Sequence, residues 1–231
     1  MEATSGSGAK GFYKMPIEDV GAPKVAFPVN LPSLSGAMAD PKGWYSRGYL
    51  PHFDRPNLIQ VITFRLHDSM PRVRLEEWER ELLFLTPDQR AVERQKRIAA
   101  YLDAGHGNCW LREPEIAALV EDAFLHFDGK RYRLLAWVVM PNHVHVMAEM
   151  FEGFLLEKVV QSWKTWTAKC ANRILGRDGA FWGRDYHDRY IRDEEHLAWA
   201  KSYIEENPTK ARLCPAPEKW RWSSAWDGRV R

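Results

Sequence analysis

His143 and His145 stand two residues apart in Trp137-Val-Val-Met-Pro-Asn-His-Val-His-Val146. That stretch reads as a strand, a Met-Pro-Asn break, and a second strand opening with the histidines. Side chains alternate along a strand, so residues two apart share a face. The two imidazoles therefore point one way, while Val144, Val146 and Ala148 point into a core. Two imidazoles on a stiff strand can begin a metal site. The same spacing serves equally for two histidines on the solvated face of a half-buried strand. Tyr203 and Asn207 offer a second chemistry-bearing pair, four residues apart on a helix read from Glu194 to Asn207 and stopped by Pro208. Leu197, Ala200 and Ile204 form its apolar stripe, and His196, Trp199, Tyr203 and Asn207 stack along one flank. A phenol and a carboxamide one turn apart can present a nucleophile and a metal ligand to one point. They suit equally a packed core-edge tyrosine and an asparagine at a helix C-terminus.

Several elements must position these residues. Leu58–Leu66 is nearly continuous apolar sequence, as expected of a central strand. Charged helices are expected over 72–85 and 87–104, where acids and bases nearly cancel and a solvated face is the default. An amphipathic helix over 114–127 opens on Pro114, a residue suited to a first turn. Asp128-Gly129 turns the chain into a strand over 132–140, and the histidine strand runs to about Phe151. A long helix over 154–175 ends at Gly176, a short strand follows over 186–192, and the tyrosine helix comes last. The order is βαββαβ plus one helix. It predicts a ferredoxin-like α+β sandwich, an antiparallel sheet with helices on one face and an added C-terminal helix. Residues 1–46, rich in Gly, Ser, Ala and Pro, read as a loosely docked arm; 47–56 reads as a loop and 226–231 as a basic tail.

Composition limits the function classes. The chain of 231 residues is 45% hydrophobic, enough for one domain with a real core. No apolar run approaches the ~20 residues of a membrane span, and no secretory signal opens the chain. Three scattered cysteines, Cys109, Cys170 and Cys214, suggest neither a zinc finger nor a disulfide framework and fit a reducing cytoplasm. A net charge of +2 does not by itself announce a nucleic-acid binder. The distribution says more. Residues 161–192 hold Lys164, Lys169, Arg173, Arg177, Arg184, Arg189 and Arg192 against Asp178, Asp185 and Asp188. Residues 208–231 are likewise basic, and tryptophans and tyrosines are interleaved through both segments. Cations for phosphates beside aromatic faces for unstacked bases is the composition of single-strand or hairpin binding. Solvated charge around core tryptophans gives the same composition.

The motifs, taken together and in order, resemble the HUH single-tyrosine transposases, most closely their REP-associated branch. Met140-Pro-Asn-His143-Val-His145 matches the family's Met-Pro-x-His-x-His. Tyr203-Ile-Glu-Glu-Asn207-Pro208 matches its Tyr-Ile-x-x-Asn-Pro. Phe181-Trp182 and Asp188-Arg189-Tyr190-Ile191-Arg192 match the lead-in to the tyrosine, and Arg47-Gly-Tyr-Leu-Pro-His-Phe-Asp54 looks like an N-terminal signature of the branch. The resemblance covers roughly residues 47–225 and departs at the long stretch between the first strand and the first core helix.

That resemblance implies an RRM-like βαββαβ core and a DNA transposase acting at REP-like hairpins. It implies Tyr203 as nucleophile, passing through a 5′-phosphotyrosine, with His143, His145 and Asn207 holding a divalent metal, Mg²⁺ or Mn²⁺. The expected partner is single-stranded or hairpin DNA, bound by a monomer or homodimer in a bacterial cytoplasm, at the nucleoid when on DNA. Lys164, Arg184, Arg189 and Arg192 are the candidate backbone contacts. The rival readings are a domesticated hairpin-binding protein that no longer cuts, an RNA-binding module, and a metal-dependent hydrolase using water with Glu149 as base.

Overall fold

The computed structural model describes residues 43–46 and 51–228. Within them the chain runs β1 (Gly43–Ser46), β2 (Pro51–Asp54), β3 (Ile59–Arg65), α1 (Arg72–Glu81), α2 (Pro87–Asp103) and α3 (Pro114–Leu125). It continues through β4 (Tyr132–Val139), β5 (His143–Met150), α4 (Leu156–Ile174), β6 (His187–Tyr190) and α5 (Glu194–Lys210). The main sheet has the order β4-β5-β3-β6, antiparallel throughout. Counting β3 as the first core strand, this is the ferredoxin-like arrangement that the element order predicts.

Strand alternation divides the molecule into two layers. Ile62 and Phe64 of β3 and Val144, Val146 and Ala148 of β5 face α3 and α4, and with Phe124 and Trp163 they form the main core. Residues of opposite parity, Ala136, Val138 and Met147, face α5 and pack on Ala200 and Ile204. The histidines of β5 share the parity of Met147 and so fall on the α5 side. Four of the eight interleaved aromatics, Trp163, Trp166, Trp182 and Tyr186, are buried.

Local chemistry sets the helix ends. Thr86 and Gln89 form a reciprocal capping box at the start of α2, with Pro87 in its first turn. Asp193 accepts the backbone N–H of His196 at 2.7 Å, and Glu194 and Glu195 add negative charge to the first turn of α5. Gly176, at φ +60°, provides the left-handed residue after α4. Pro208 does not stop α5, which continues to Lys210. A proline this late removes one helical hydrogen bond, and the turn closes through Ala211 N–H donating to the Asn207 carbonyl at 2.9 Å.

Two further departures from the sequence reading lie near the N-terminus. The expected loop at 47–56 contains β2, which pairs with β1, so Gly43–Ser46 of the expected arm is a strand. The remainder of that arm and residues 229–231 of the expected tail lie outside the described residues. The hairpin docks on β6 through His52, which is buried against Asp188 and lies 3.3 Å from Asp185. Asp188 also accepts from the Phe53 N–H at 3.2 Å and from the Gln60 amide at 3.1 Å. Burial opposes a charged His52, but hydrogen bonds to Asp185 and Asp188 outweigh it and raise the pKa to about 9.

The long stretch before α3 folds as the α1–α2 helical hairpin. Its joint is polar and thin: Arg97 pairs with Glu81, Arg90 donates to the carbonyls of Leu82, Leu83 and Leu85, and Trp78 meets Tyr101 edge-on at 5.7 Å. α1 buries no residue and α2 only Leu102.

Candidate active site

His143 and His145 sit side by side on β5, and neither is solvated, with exposures of 1% and 6%. Their Nε2 atoms face each other at 3.1 Å. Each Nδ1 already has a partner. Asn142 donates its amide to the His106 carbonyl at 2.8 Å, so its Oδ1 accepts Nδ1–H of His143 at 2.7 Å. That bond puts the lone pair of His143 on Nε2. Thr63 Oγ1 lies 2.8 Å from His145 Nδ1, and a hydroxyl can donate or accept there, so His145 can carry its proton on either nitrogen. Burial, then the neighbouring His145, holds the His143 pKa well below its usual value. Burial, then the charge of His187, lowers His145 to about 4. Both rings are therefore neutral at pH 7, the form that binds metals.

α5 brings the second pair to the same place. The Tyr203 ring lies 5.6 Å from the His145 ring, edge to face, and both line one cleft. Trp199, one turn earlier and 58% exposed, stacks on Tyr203 at 5.5 Å with the planes 16° apart. Burial, then the charge of Asp103, raises the Tyr203 pKa, and a hydrogen bond from Asn207 acts against them. Asn207 is buried, and its Oδ1 has no hydrogen-bond partner among the described residues. A buried carbonyl oxygen without a donor costs roughly 1–3 kcal/mol unless something else binds it.

These donors fit a divalent ion. Two ligands adjacent on a metal with bonds of about 2.1 Å stand about 3 Å apart, close to the Nε2 separation in this pair. Among the described residues no three His, Cys, Asp or Glu side chains form a metal cluster, and the unpartnered Asn207 Oδ1 is a neutral oxygen that can serve as a third protein ligand. Neutral N/N/O donors leave the charge of the ion for an anionic substrate.

The candidate cations separate in space. Arg184 and Arg189 line the cleft that holds the histidines and Tyr203. Arg189 and Arg192 line an adjoining groove. Lys164 on α4 turns to the loop after that helix, donating to the carbonyls of Gly183, Arg184 and Asp185 at 2.7, 3.1 and 3.4 Å. Three further residues escape sequence reasoning. Asp103, at the end of α2, places Oδ1 3.7 Å from His143 Nε2, and burial raises its pKa to about 6. Arg65 and Arg94 line the same cleft. Arg65 was readable from parity, since it shares the face of Thr63; Asp103 and Arg94 leave no signal in a helix whose charges cancel.

The family model described as "Transposase IS200 like" matches residues 117–207, a span that includes His143, His145, Tyr203 and Asn207. Over those residues the chain is similar to the IS200-like transposases, and its motifs resemble the REP-associated tyrosine transposases. A solved structure of a REP-associated tyrosine transposase bound to a REP hairpin aligns with 78% of this chain and 81% of its own, at 15% identity and a TM-score of 0.46. A putative transposase from Deinococcus radiodurans aligns with 71% of this chain and 96% of its own, at 14% identity and a TM-score of 0.32. No curated protein matches.

Proposed function

We propose that this protein cleaves and rejoins DNA at imperfect hairpins flanked by single-stranded sequence, with Tyr203 as nucleophile. The observation that carries the reading is the convergence on one cleft of two neutral, facing imidazoles with the Tyr203 ring, one turn from the unpartnered Asn207 oxygen. The Tyr203 oxygen attacks the scissile phosphorus, the new bond is a 5′-phosphotyrosine, and the departing strand leaves with a free 3′-OH. The reverse attack by a 3′-OH restores a phosphodiester without an external energy source. Phenol has a pKa of about 10, so only about 0.1% is ionised at neutral pH. His143, His145 and Asn207 would hold Mg²⁺ or Mn²⁺. Such an ion supplies Lewis-acid polarisation of the phosphate and stabilises developing negative charge. The chain's own part is positioning: Asn142 and Thr63 orient the imidazoles, and Trp199 fixes one face of the tyrosine ring.

A water-using hydrolase with Glu149 as base fits less well. Glu149 pairs with Arg133 at 2.6 Å and lies four residues beyond His145, about 13 Å along the strand. The experiment is a 3′-labelled DNA hairpin incubated with protein and Mg²⁺. A covalent adduct that requires Tyr203 supports the transposase. Product without adduct points to hydrolysis, and a gel shift alone points to a binding protein.

A further inference from the structure

The α1–α2 hairpin sets Arg94 across the cleft from Arg65 and Arg189 of the sheet, with Glu79 of α1 as its ion-pair partner. Arg94 of α2 lies 3.5 Å from Glu79, yet its buried Nε–H has no hydrogen-bond partner among the described residues. Arg65 of β3 lines the same cleft and donates to the Leu66 carbonyl at 3.4 Å. Burial, then the charge of Arg94, lowers the Arg65 pKa, so the two guanidinium groups repel one another. Arg189 of β6, the strand paired with β3, lines the cleft from the same sheet. The carboxylate of Asp188 is committed to His52. An anion bridging two partly buried guanidinium groups relieves their repulsion and takes charge-assisted hydrogen bonds from both.

The shape of the cleft indicates the kind of anion. The cavity with the histidines and Tyr203 has a volume of about 610 Å³. It adjoins a groove that continues past Arg192 and Tyr190, and Arg94, Gln95, His187 and Arg189 line both. Cations repeated along a groove match consecutive phosphates better than a single small anion. Exposed Trp199 at the tyrosine end adds an aromatic face of the kind that stacks unpaired bases.

We infer that the α1–α2 hairpin is a substrate-binding wall: the cleft between α2 and the sheet holds the sugar-phosphate backbone of a single-stranded DNA segment next to Tyr203, with Arg94 on one side and Arg65 and Arg189 on the other. This rests on the proposed DNA substrate and adds where its unpaired strand runs. Sequence composition assigns α2 a solvated face; the cleft makes it half of the binding site.

The test compares a labelled DNA hairpin carrying a single-stranded extension with the same hairpin lacking it. Affinity is measured over a range of salt concentrations for the wild type, Arg94→Gln, Arg94→Lys, and Arg80→Gln as a charge loss on α1 away from the cleft. Arg94→Gln should weaken binding of the extended hairpin several-fold and lower the slope of log affinity on log salt by roughly one. The hairpin without extension should bind unchanged, Arg94→Lys should keep the slope, and Arg80→Gln should match the wild type. Replacing single phosphates of the extension by neutral methylphosphonates should identify a position that costs affinity in the wild type but not in Arg94→Gln. Unchanged affinity and slope in Arg94→Gln overturns the inference, as does equal loss on both substrates or equal loss in Arg94→Lys and Arg94→Gln. Covalent adduct formation, scored separately, keeps the two readings apart. An adduct with an indifferent Arg94 sinks this inference alone. Arg94-dependent binding of the extension without an adduct sustains it while the catalytic reading fails.

Discussion

Tyr203 is the residue on which the chemistry turns, and its surroundings make the decisive substitution mild. Its ring is held between Trp199 and His145, so Tyr203→Phe removes one oxygen and keeps the packing. The variant should fold and bind the hairpin like the wild type and form no adduct, read on a denaturing gel with 3′-labelled DNA. Tyr186→Phe and Tyr190→Phe should still cut; if Tyr203→Phe cleaves at the wild-type rate, the assignment is wrong. The imidazoles give a second expectation. His143→Ala or Asn207→Ala should weaken Mn²⁺ binding, followed by electron paramagnetic resonance, and slow adduct formation by about 10²–10³-fold, the usual cost of losing one electrostatic stabiliser. Unaltered Mn²⁺ binding in both variants would exclude the proposed ligand set.

At the scale of elements, the β1–β2 hairpin is pinned to β6 by a protonated, buried histidine, and this makes its docking depend on pH. His52 has a folded pKa of about 9 against 6.5 for the free side chain. Because the folded value is raised, the stabilisation is complete below about pH 6.5, declines above it, and is lost above about pH 9. Its upper limit is about 3 kcal/mol. Urea unfolding should show the wild type losing stability across that window, and His52→Gln should be less stable at pH 6.5 but flat. A parallel decline in both proteins would place the titration elsewhere. The main core makes the other element-scale prediction. Phe64 is buried edge-on against Trp182 at 4.8 Å and Phe124 at 6.3 Å, behind the strand that carries Thr63. Phe64→Ala should cost about 3–5 kcal/mol in chemical denaturation, and a loss under 1 kcal/mol would mean that this layer is not the core.

For the whole molecule, net charge understates the electrostatics. A value of +2 would steer DNA weakly, but Arg65, Arg94, Arg184 and Arg189 meet at one cleft. DNA affinity should fall steeply with salt, and removing charge at Arg189 or Arg192 should flatten the dependence by roughly one unit of slope each. An affinity indifferent to salt would remove phosphate contact from the account. Lys164 should behave differently. Its ammonium holds three loop carbonyls, so Lys164→Ala should cost stability more than salt dependence.

Period and order are local properties, and the sequence by itself determined what depends on them. Alternation along β5 put His143 and His145 on one face with Val144 and Val146 on the other, and helical steps put Trp199, Tyr203 and Asn207 on one flank of α5. The succession of strands and helices was enough for the ferredoxin-like sheet. Which faces meet is not local. That α5 covers the histidines, bringing Tyr203 to His145 across 58 residues of chain, depends on packing between layers. The alternative of a solvated histidine strand therefore stayed open until the tertiary structure buried both rings. The same holds for α1 and α2, whose balanced charges look alike on every side of an isolated helix. Only folding against the sheet turned Arg94 into the cleft and Asp103 toward His143, because a charge gains a role from what lies near it, and for these two that is Arg65, His143 and Tyr203.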